Sequence, residues 1–554
     1  MKGDSGKEVY FLEVKGAMPR ILNLLNRNPS SQNYGSFDRD YWSYNSFDIS
    51  NARKQEAVLT LALIYLIKRA DNPYYNNEQI LEWINAALEY AKKLQNKNGS
   101  FNEMYPNEHS FVATAFVSYA VSETLLLLKN KVKKMGGIID CLKKSGDWLL
   151  ENDENMALNQ KAGSIIALHN IYLLTNNSKY KKGAMDKLTG LLNKQNKEGW
   201  FAEYDGADIG YLSLCIDYLA KYHKKTKDMR LLSSLKKASN FMQYFLLPGH
   251  HFGGEVGSRN TEYLIPYGFE LLSGHVPSAA LISRFIRESI KEKTALCPST
   301  IDDRYLLFNG YTYLQAYIDG KMDIPKKDSL FSKNFTKYFD QSGIFVKNSS
   351  NFYMIANIKK GGVSRIIFKK KNACLNDGGS MIRLKNGKAL GSNYLGGNDK
   401  ASIGDNQVEI KRKFVEVNAT SLTPLTFVLF RVFQLSLGRI GFISRAVRRY
   451  LRERLIRQKN QDSGISFSRR IILKKTELSI TDEIGPLACL DCIMISSKLS
   501  FIFTESSRYF QLHDLQSKPF FIDGKMISKA ADKKRIVLHR RYGHDGRLVH
   551  SGIS

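Results

Sequence analysis

Between about Asn51 and Gly320 one pattern keeps returning: apolar residues at i, i+3, i+4 and i+7. It runs through NARKQEAVLTLALIYLIKRA, NEQILEWINAALEYAKKLQ, SFVATAFVSYAVSETLLLL and DIGYLSLCIDYLAKYHKK. This is the period of an α-helix. Some of these helices are apolar around most of their circumference and others only along a stripe, as expected when an outer layer covers an inner one. The loops recur too. LQNKNGSFNEMYPNEHS from Leu94 and KQNKEGWFAEYDGADIG from Lys194 share Gln-Asn-Lys, Gly, an aromatic, Glu, Tyr and then a new apolar helix. PGHHFGGEVGSRNTEY from Pro248 keeps the Gly, acidic and Tyr elements. Helical hairpins repeating at roughly 50 residues mark stacked or closed helical repeats. Because the Gly-aromatic-acid loops all fall at the same kind of hairpin end, a closed toroid would gather them on one face, with an open solenoid as the alternative.

Beyond Lys326 the texture changes to short β-branched and aromatic runs such as NFYMIANI, SRIIFKK, VEIKRKFVEV and SRRIILKKTELSITDEI, bounded by Gly and Asn turns. A chain of 554 residues also exceeds the roughly 250 to 300 residues at which a single core stops growing. The expected division is an extension over 1–50, a helical toroid over 51–325 and a β domain over 326–554 with a basic helical insertion near 423–458.

The formal charge of +29 favours an acidic partner: nucleic acid, an anionic membrane or an acidic polysaccharide. The basic runs beginning at Lys369, Arg445 and Lys533 lack the interleaved aromatics and recognised fold that nucleic-acid binding needs, so no nucleic acid is expected. The apolar stretch Thr423 to Val447 is broken by Arg431, Arg439 and Arg445, which disfavours a spanning helix and leaves peripheral contact with an anionic membrane or a surface-packed insertion. The pair Cys489 and Cys492 has no second CxxC or nearby paired His, so no metal and no other cofactor is expected. MKGDSGKEVYFLEV lacks the apolar core of a secretory leader, and a cytoplasmic location, with membrane association through the insertion, is the expectation.

NYGSFDRDYWSY, GSFNEMYPNEHSFVATAF and GWFAEYDGADIGYLS, together with the helical-then-β order, resemble heparinase II/III-like proteins, and within them a subgroup linked to bacterial surface polysaccharide. The resemblance implies an α+β multidomain protein, with an N-terminal (α/α) toroid of helical hairpins followed by a C-terminal antiparallel β-sandwich. It also implies a cleft for uronic-acid polymers, in which Asn with His or Arg faces the substrate carboxylate while Tyr and His move protons. Related folds serve uronyl epimerases.

β-Elimination from a uronate needs its carboxylate neutralised, a base for the C5 proton and an acid for the leaving oxygen. On residue type, His109 or Tyr211 is expected as base and Tyr263 as the alternative acid. Arg259 with Asn260 is the expected carboxylate clamp, because a guanidinium binds a carboxylate as a planar fork. Tyr105, Asn107, Tyr204, Asp208, Glu255, Trp200 and Trp42 complete the expected substrate contacts, with His250 and His251 as further candidates. Glu103 and Asp208 would serve a glycoside hydrolase, which uses two carboxylates. A non-catalytic glycan-binding role in envelope polysaccharide biosynthesis is the third reading. Each residue also has a plainer use: acids at helix starts cap amides, and tyrosines pack with a bonded hydroxyl.

Overall fold

The computed structural model describes residues 6–204, 206–324, 330–396, 399–417, 423–451, 462–475, 477–495, 507, 509–511, 514–515, 519–529 and 534–553. Residues 452–458 of the expected insertion and Lys533 of the third basic run lie outside them.

The helices in chain order are α1 (Glu8–Leu24), the single turn α2 (Arg39–Trp42), α3 (Ala57–Leu66), α4 (Glu78–Lys93), α5 (Phe111–Leu128), α6 (Met135–Glu151) and α7 (Leu158–Thr175). They continue with α8 (Ser178–Leu192), α9 (Ile209–Thr226), α10 (Met229–Met242), α11 (Tyr267–Leu272), α12 (Pro277–Lys291) and α13 (Asp303–Asp319). Helices α3, α5, α7, α9, α11 and α13 each pack on the next, and α13 returns to α3, so the inner ring is closed and the chain is not an open solenoid. Helices α1, α4, α6, α8, α10 and α12 lie outside it.

The two layers follow from composition. Inner helix α5 buries every residue from Ala113 to Ser122, whereas outer helix α4 buries mainly the stripe Ile80, Ile84, Ala87, Leu88 and Ala91, with Asn85 and Tyr90 to either side of it. The stretch Phe111–Lys131 is long and apolar enough to cross a membrane, but 78% of its most apolar window is buried at the centre of the protein. Polar residues start the helices: Asn77, Ser110, Asn177, Asp208, Asp228 and Asp302 each accept a first-turn backbone N–H. Residues 1–50, set apart above as an extension, carry α1, whose Tyr10, Phe11, Val14, Met18 and Ile21 join the toroid core and whose body packs on α13.

The recurring loop turns out to be a packing device. At Gly99 (φ +89°) and Gly199 (φ +109°) a Cβ would stand 2.2 Å from Lys144 O and 2.4 Å from Lys237 O, on the next outer helix. Gln95 and Gln195 donate to Gly99 O (3.1 Å) and Gly199 O (2.8 Å), and onward to Cys141 O and Ser234 O. The third copy is Tyr34-Gly35-Ser36-Phe37 and not the Pro248 loop: Gly35 (φ +89°) abuts Ala86 O at 2.3 Å, and Gln55 bridges Gly35 O and Ala87 O, both at 3.0 Å. Phe37, Phe101 and Phe201 follow the three glycines into the core, so the aromatic in this pattern plugs a helix pair.

Two short hairpins, β1 (Ala202–Glu203) with β2 (Gly206–Ala207) and β3 (Leu246–Leu247) with β4 (His251–Phe252), lie within the toroid loops. The second part opens with an antiparallel sheet of β5 (Phe335–Phe339), β6 (Ile344–Asn348), β7 (Phe352–Asn357), β8 (Val363–Phe368) and β9 (Ala373–Asp377), in that order. A larger sheet contains β10 (Ser380–Leu384), β11 (Ala389–Gly391), β12 (Lys400–Ile403), β13 (Gln407–Glu416), β14 (Asp462–Leu473), β15 (Glu477–Gly485), β16 (Leu490–Ile495), β17 (Phe520–Ile522), β18 (Ile536–Gly543) and β19 (Leu548–Ile553). Its order is β17-β16-β10-β11-β13-β14-β15-β18-β19, with β12 on β13. Between β13 and β14 stand α14 (Pro424–Leu435) and α15 (Gly441–Leu451), and α16 (Gly524–Lys529) follows β17.

The smaller sheet is buried on both faces. Phe345, Met354, Ile366 and Phe368 meet Val408, Ile410, Ile471 and Ile480 of the larger sheet, while Ile344, Val346, Tyr353, Ile355 and Ile367 share one cluster with the toroid. The order of layers is therefore toroid, small sheet, large sheet.

Candidate functional site

Loops at the starts of the inner helices build the candidate site, and Asp208 organises one half of it. As the cap of α9 it accepts the Tyr211 N–H on Oδ1 (3.1 Å), while Oδ2 accepts the N–H groups of Arg259 (2.9 Å) and Thr261 (3.3 Å). Burial raises its carboxyl above the usual range against the pull of those donors. Ser258 adds bonds to Ala207 O (2.8 Å) and Glu203 O (3.0 Å). The second and third loops are thus tied together, and the Arg259 guanidinium comes to rest 4.8 Å from the centroid of the Tyr204 ring. Beneath them Glu203 is buried and accepts from Asn159 Nδ2 at 2.5 Å. Burial pushes its carboxyl well above the usual value even with the Arg259 charge opposing.

A line of tyrosines borders this pair. Ring centroids are 6.1 Å apart for Tyr211–Tyr263, 5.4 Å for Tyr263–Tyr305 and 6.4 Å for Tyr305–Tyr509. Tyr263 and Tyr305 are buried, Tyr211 and Tyr509 half-buried. Burial, then the neighbouring Tyr211 and Tyr305, holds the Tyr263 phenol well above 10, so it stays protonated. Tyr509 comes from the far part of the chain and donates to Asp302, the cap of α13, and Gln511 Nε2 donates to Glu262 Oε2 at 3.0 Å. A small recess opens beside Tyr263, Pro298, Ile301, Tyr305 and Asn309.

The first loop forms the other half. His109 (φ +50°) sets Nδ1 2.7 Å from Ser100 Oγ and 3.2 Å from Asn98 Nδ2. Glu103 pairs with Arg304 at 2.8 Å and lies 3.7 Å from Arg53, and Glu108 Oε2 accepts the N–H groups of Glu103 (2.6 Å) and Met104 (2.7 Å). Asn107 Nδ2 donates to Gln434 O at 3.0 Å, and the Tyr105 and Phe430 centroids lie 5.5 Å apart, so α14 sits directly on this loop. Arg304 and Tyr305, adjacent on α13, connect the halves: one pairs with Glu103, the other stacks near Tyr263.

No protein-family model matches the chain, and no curated protein matches it. Solved structures do. A chondroitin AC lyase from Streptomyces coelicolor A3, in complex with chondroitin sulphate, superposes with a TM-score of 0.52 at 9% identity, over 90% of this chain and 68% of that one. A chondroitinase AC lyase solved with oligosaccharides gives 0.48 at 12% identity over 90% and 70%. The heparan sulfate lyase HepC mutant from Pedobacter heparinus gives 0.40 at 10% identity over 88% and 71%. The chain has the polysaccharide-lyase fold.

In this lyase fold the sandwich supplies parts of the candidate site that the sequence did not disclose. Lys360, at the turn after β7, is buried and donates to Glu255 O (2.8 Å), Gly257 O (2.6 Å) and Asn260 Oδ1. Burial lowers its ammonium to about 7, against the attraction of Asp208 and Glu255. Asn260, expected in the clamp, thus has its side-chain oxygen turned to Lys360. Glu255, expected at the substrate, instead pairs with the buried Arg365 at 2.9 Å. Trp200, expected as a stacking platform, is buried and donates to Glu198 Oε2 at 2.8 Å; Glu198 in turn accepts the N–H groups of Gln341 and Ser342, so Trp200 belongs to the joint between toroid and sandwich. Trp42 donates to Leu24 O at 2.8 Å beside α1. His250 lies 2.8 Å from Glu292, just past the end of α12, and burial lowers His251 to about 4.

Tyr305, Tyr509, Lys360, Arg53 and Arg304 were missed from sequence. The acidic cap Asp302 ahead of Arg304 and Tyr305 repeats the arrangement at Asp208 and was the available signal; Lys360 and Tyr509 carry none, since they arrive from other parts of the chain. Among the described residues no group of three or more His, Cys, Asp or Glu side chains is placed to hold a metal ion, and all six cysteines are free.

Proposed function

We propose that the chain acts on an anionic, uronic-acid-containing polysaccharide by β-elimination at the junction of the second and third toroid loops. The observation that carries this reading is Arg259: a buried guanidinium lying over Tyr204, on a loop whose backbone is held by Asp208, the same carboxylate that caps the helix bearing Tyr211. Elimination removes the C5 proton, breaks the C4–O bond, forms a C4=C5 double bond and delivers a proton to the departing oxygen. Arg259 neutralises the carboxylate and so acidifies C5. Tyr211, the more exposed member of its pair, takes the C5 proton, and Tyr263 gives its phenol proton to the leaving oxygen. The fold shared with a chondroitin AC lyase solved with chondroitin sulphate supports the substrate class. The hydrolase pair is less well served, because both Asp208 oxygens are occupied by backbone amides and Glu103 is paired with Arg304.

Ultraviolet absorbance and reducing ends, measured together on a panel of uronate polymers, test the reading. An absorbance gain is expected, falling about 10²-fold or more in Tyr211→Phe and also lost in Arg259→Ala. Reducing ends without absorbance would transfer the chain to hydrolysis, and silence in both with glycan binding intact would make it a binding or epimerising protein.

A further inference from the structure

Helix α14 has two apolar faces. Phe430 and Phe433 turn toward the first toroid loop and, with Tyr105 and Asn107, line a small recess. The opposite stripe, Leu425, Val428, Leu429 and Val432, follows i, i+3, i+4, i+7 and points to solvent, with 69%, 55%, 59% and 60% of each residue exposed. Phe442 at the start of α15 is 67% exposed. Soluble monomers rarely leave a contiguous apolar stripe of this kind uncovered.

Charge indicates what covers it. From Val417 to Leu451 there are five arginines, Arg431, Arg439, Arg445, Arg448 and Arg449, and no Asp or Glu. Arg431 is used internally, pairing with Asp48 at 2.8 Å, while Arg439 and Arg449 are exposed. A protein groove complementary to α14 would need acidic partners for these arginines. A bilayer with anionic headgroups offers both an apolar layer and a negative surface along the same plane. With 12 residues, α14 is about 18 Å long, too short to span a bilayer and suited to lying along its surface.

We infer that the α14–α15 hairpin is an in-plane docking surface for an anionic phospholipid bilayer, mounted on the first loop of the toroid. Leu425, Val428, Leu429, Val432 and Phe442 enter the headgroup–acyl boundary, and Arg439 and Arg449 contact phosphates. The inference is independent of the reaction proposed above.

Co-sedimentation of the full chain with vesicles of phosphatidylcholine plus phosphatidylglycerol, against phosphatidylcholine alone, tests it. Binding to the mixed vesicles is expected to exceed binding to neutral ones by about tenfold and to weaken with salt. The triple variant Val428→Ser, Leu429→Ser, Val432→Ser should lose binding to both while keeping its melting temperature. The double variant Arg439→Glu, Arg449→Glu should lose only the preference for anionic vesicles. Wild-type protein remaining in the supernatant with both vesicles would overturn the proposal. So would a dimer in analytical ultracentrifugation that the triple variant dissolves, because the stripe would then belong to a second copy of the chain.

Discussion

Gly99 and Gly199 combine a left-handed backbone with a carbonyl of the neighbouring outer helix inside van der Waals distance, so alanine at either position meets both a conformational and a steric cost. Gly387 shares the conformation (φ +83°) but has nothing within 4 Å, which makes it the control. In urea titrations Gly387→Ala is expected to lose about 1 kcal/mol, and Gly99→Ala or Gly199→Ala about 2 to 4 kcal/mol, the difference measuring the close approach. Lys360 sets a pH dependence. Its folded-state ammonium titrates near 7, whereas an unfolded lysine titrates at about 10.4, so between those values the unfolded chain binds more protons. Stability should therefore rise with pH from about 7 toward 10 in the wild type, and a Lys360→Met variant should lack that rise; parallel curves would show that the ammonium stays charged in the fold. What the sequence offered at the candidate site was residue types in three loops, and the structure ties two of those loops through Asp208, which holds the Tyr211 and Arg259 amides. Partners were not legible: a sequence gives no sign that Asn260 and Glu255 are met by Lys360 and Arg365 from the sandwich.

Elements followed the local pattern closely, because period 3.6 and period 2 are properties of the chain itself. The exception is α1, whose apolar residues are interleaved with polar ones and whose role shows only when α13 packs on it. The sandwich has its own internal lock. Asp377 on β9 accepts from Arg469 and Arg540, both at 3.0 Å, and Asp482 on β15 binds the same two arginines at 2.6 Å, all four side chains being buried. Asp377→Asn leaves guanidinium charge uncompensated between the sheets and is expected to cost about 3 to 5 kcal/mol in chemical denaturation. Although burial works to raise it, the guanidinium groups of Arg469 and Arg540 hold the Asp377 carboxyl below its ordinary value. Its contribution is therefore present above about pH 4, the unfolded value, and is lost as pH falls toward the folded one. Acid titration of the wild type should show that loss and Asp377→Asn should not.

At the scale of the molecule the small sheet belongs to two cores, one shared with the toroid and one with the large sheet. Neither part can leave the other without exposing Ile344, Val346, Tyr353, Ile355 and Ile367 on one side or the toroid surface on the other. Calorimetry of the full chain is therefore expected to show a single cooperative transition, and a toroid ending near residue 324 to bind a hydrophobic dye; two separated transitions would contradict the shared core. By itself the sequence determined the order of helices and strands, the two helical layers and the loop that recurs at the hairpin ends, because each depends on periodicity or on a glycine that a local turn requires. Only the tertiary structure decided that the ring closes, that a third copy of the loop lies at Gly35, and that Lys360, Tyr305 and Tyr509 complete the candidate site. Those features depend on contacts between residues scores to hundreds of positions apart, and no local preference along the chain encodes such a distance.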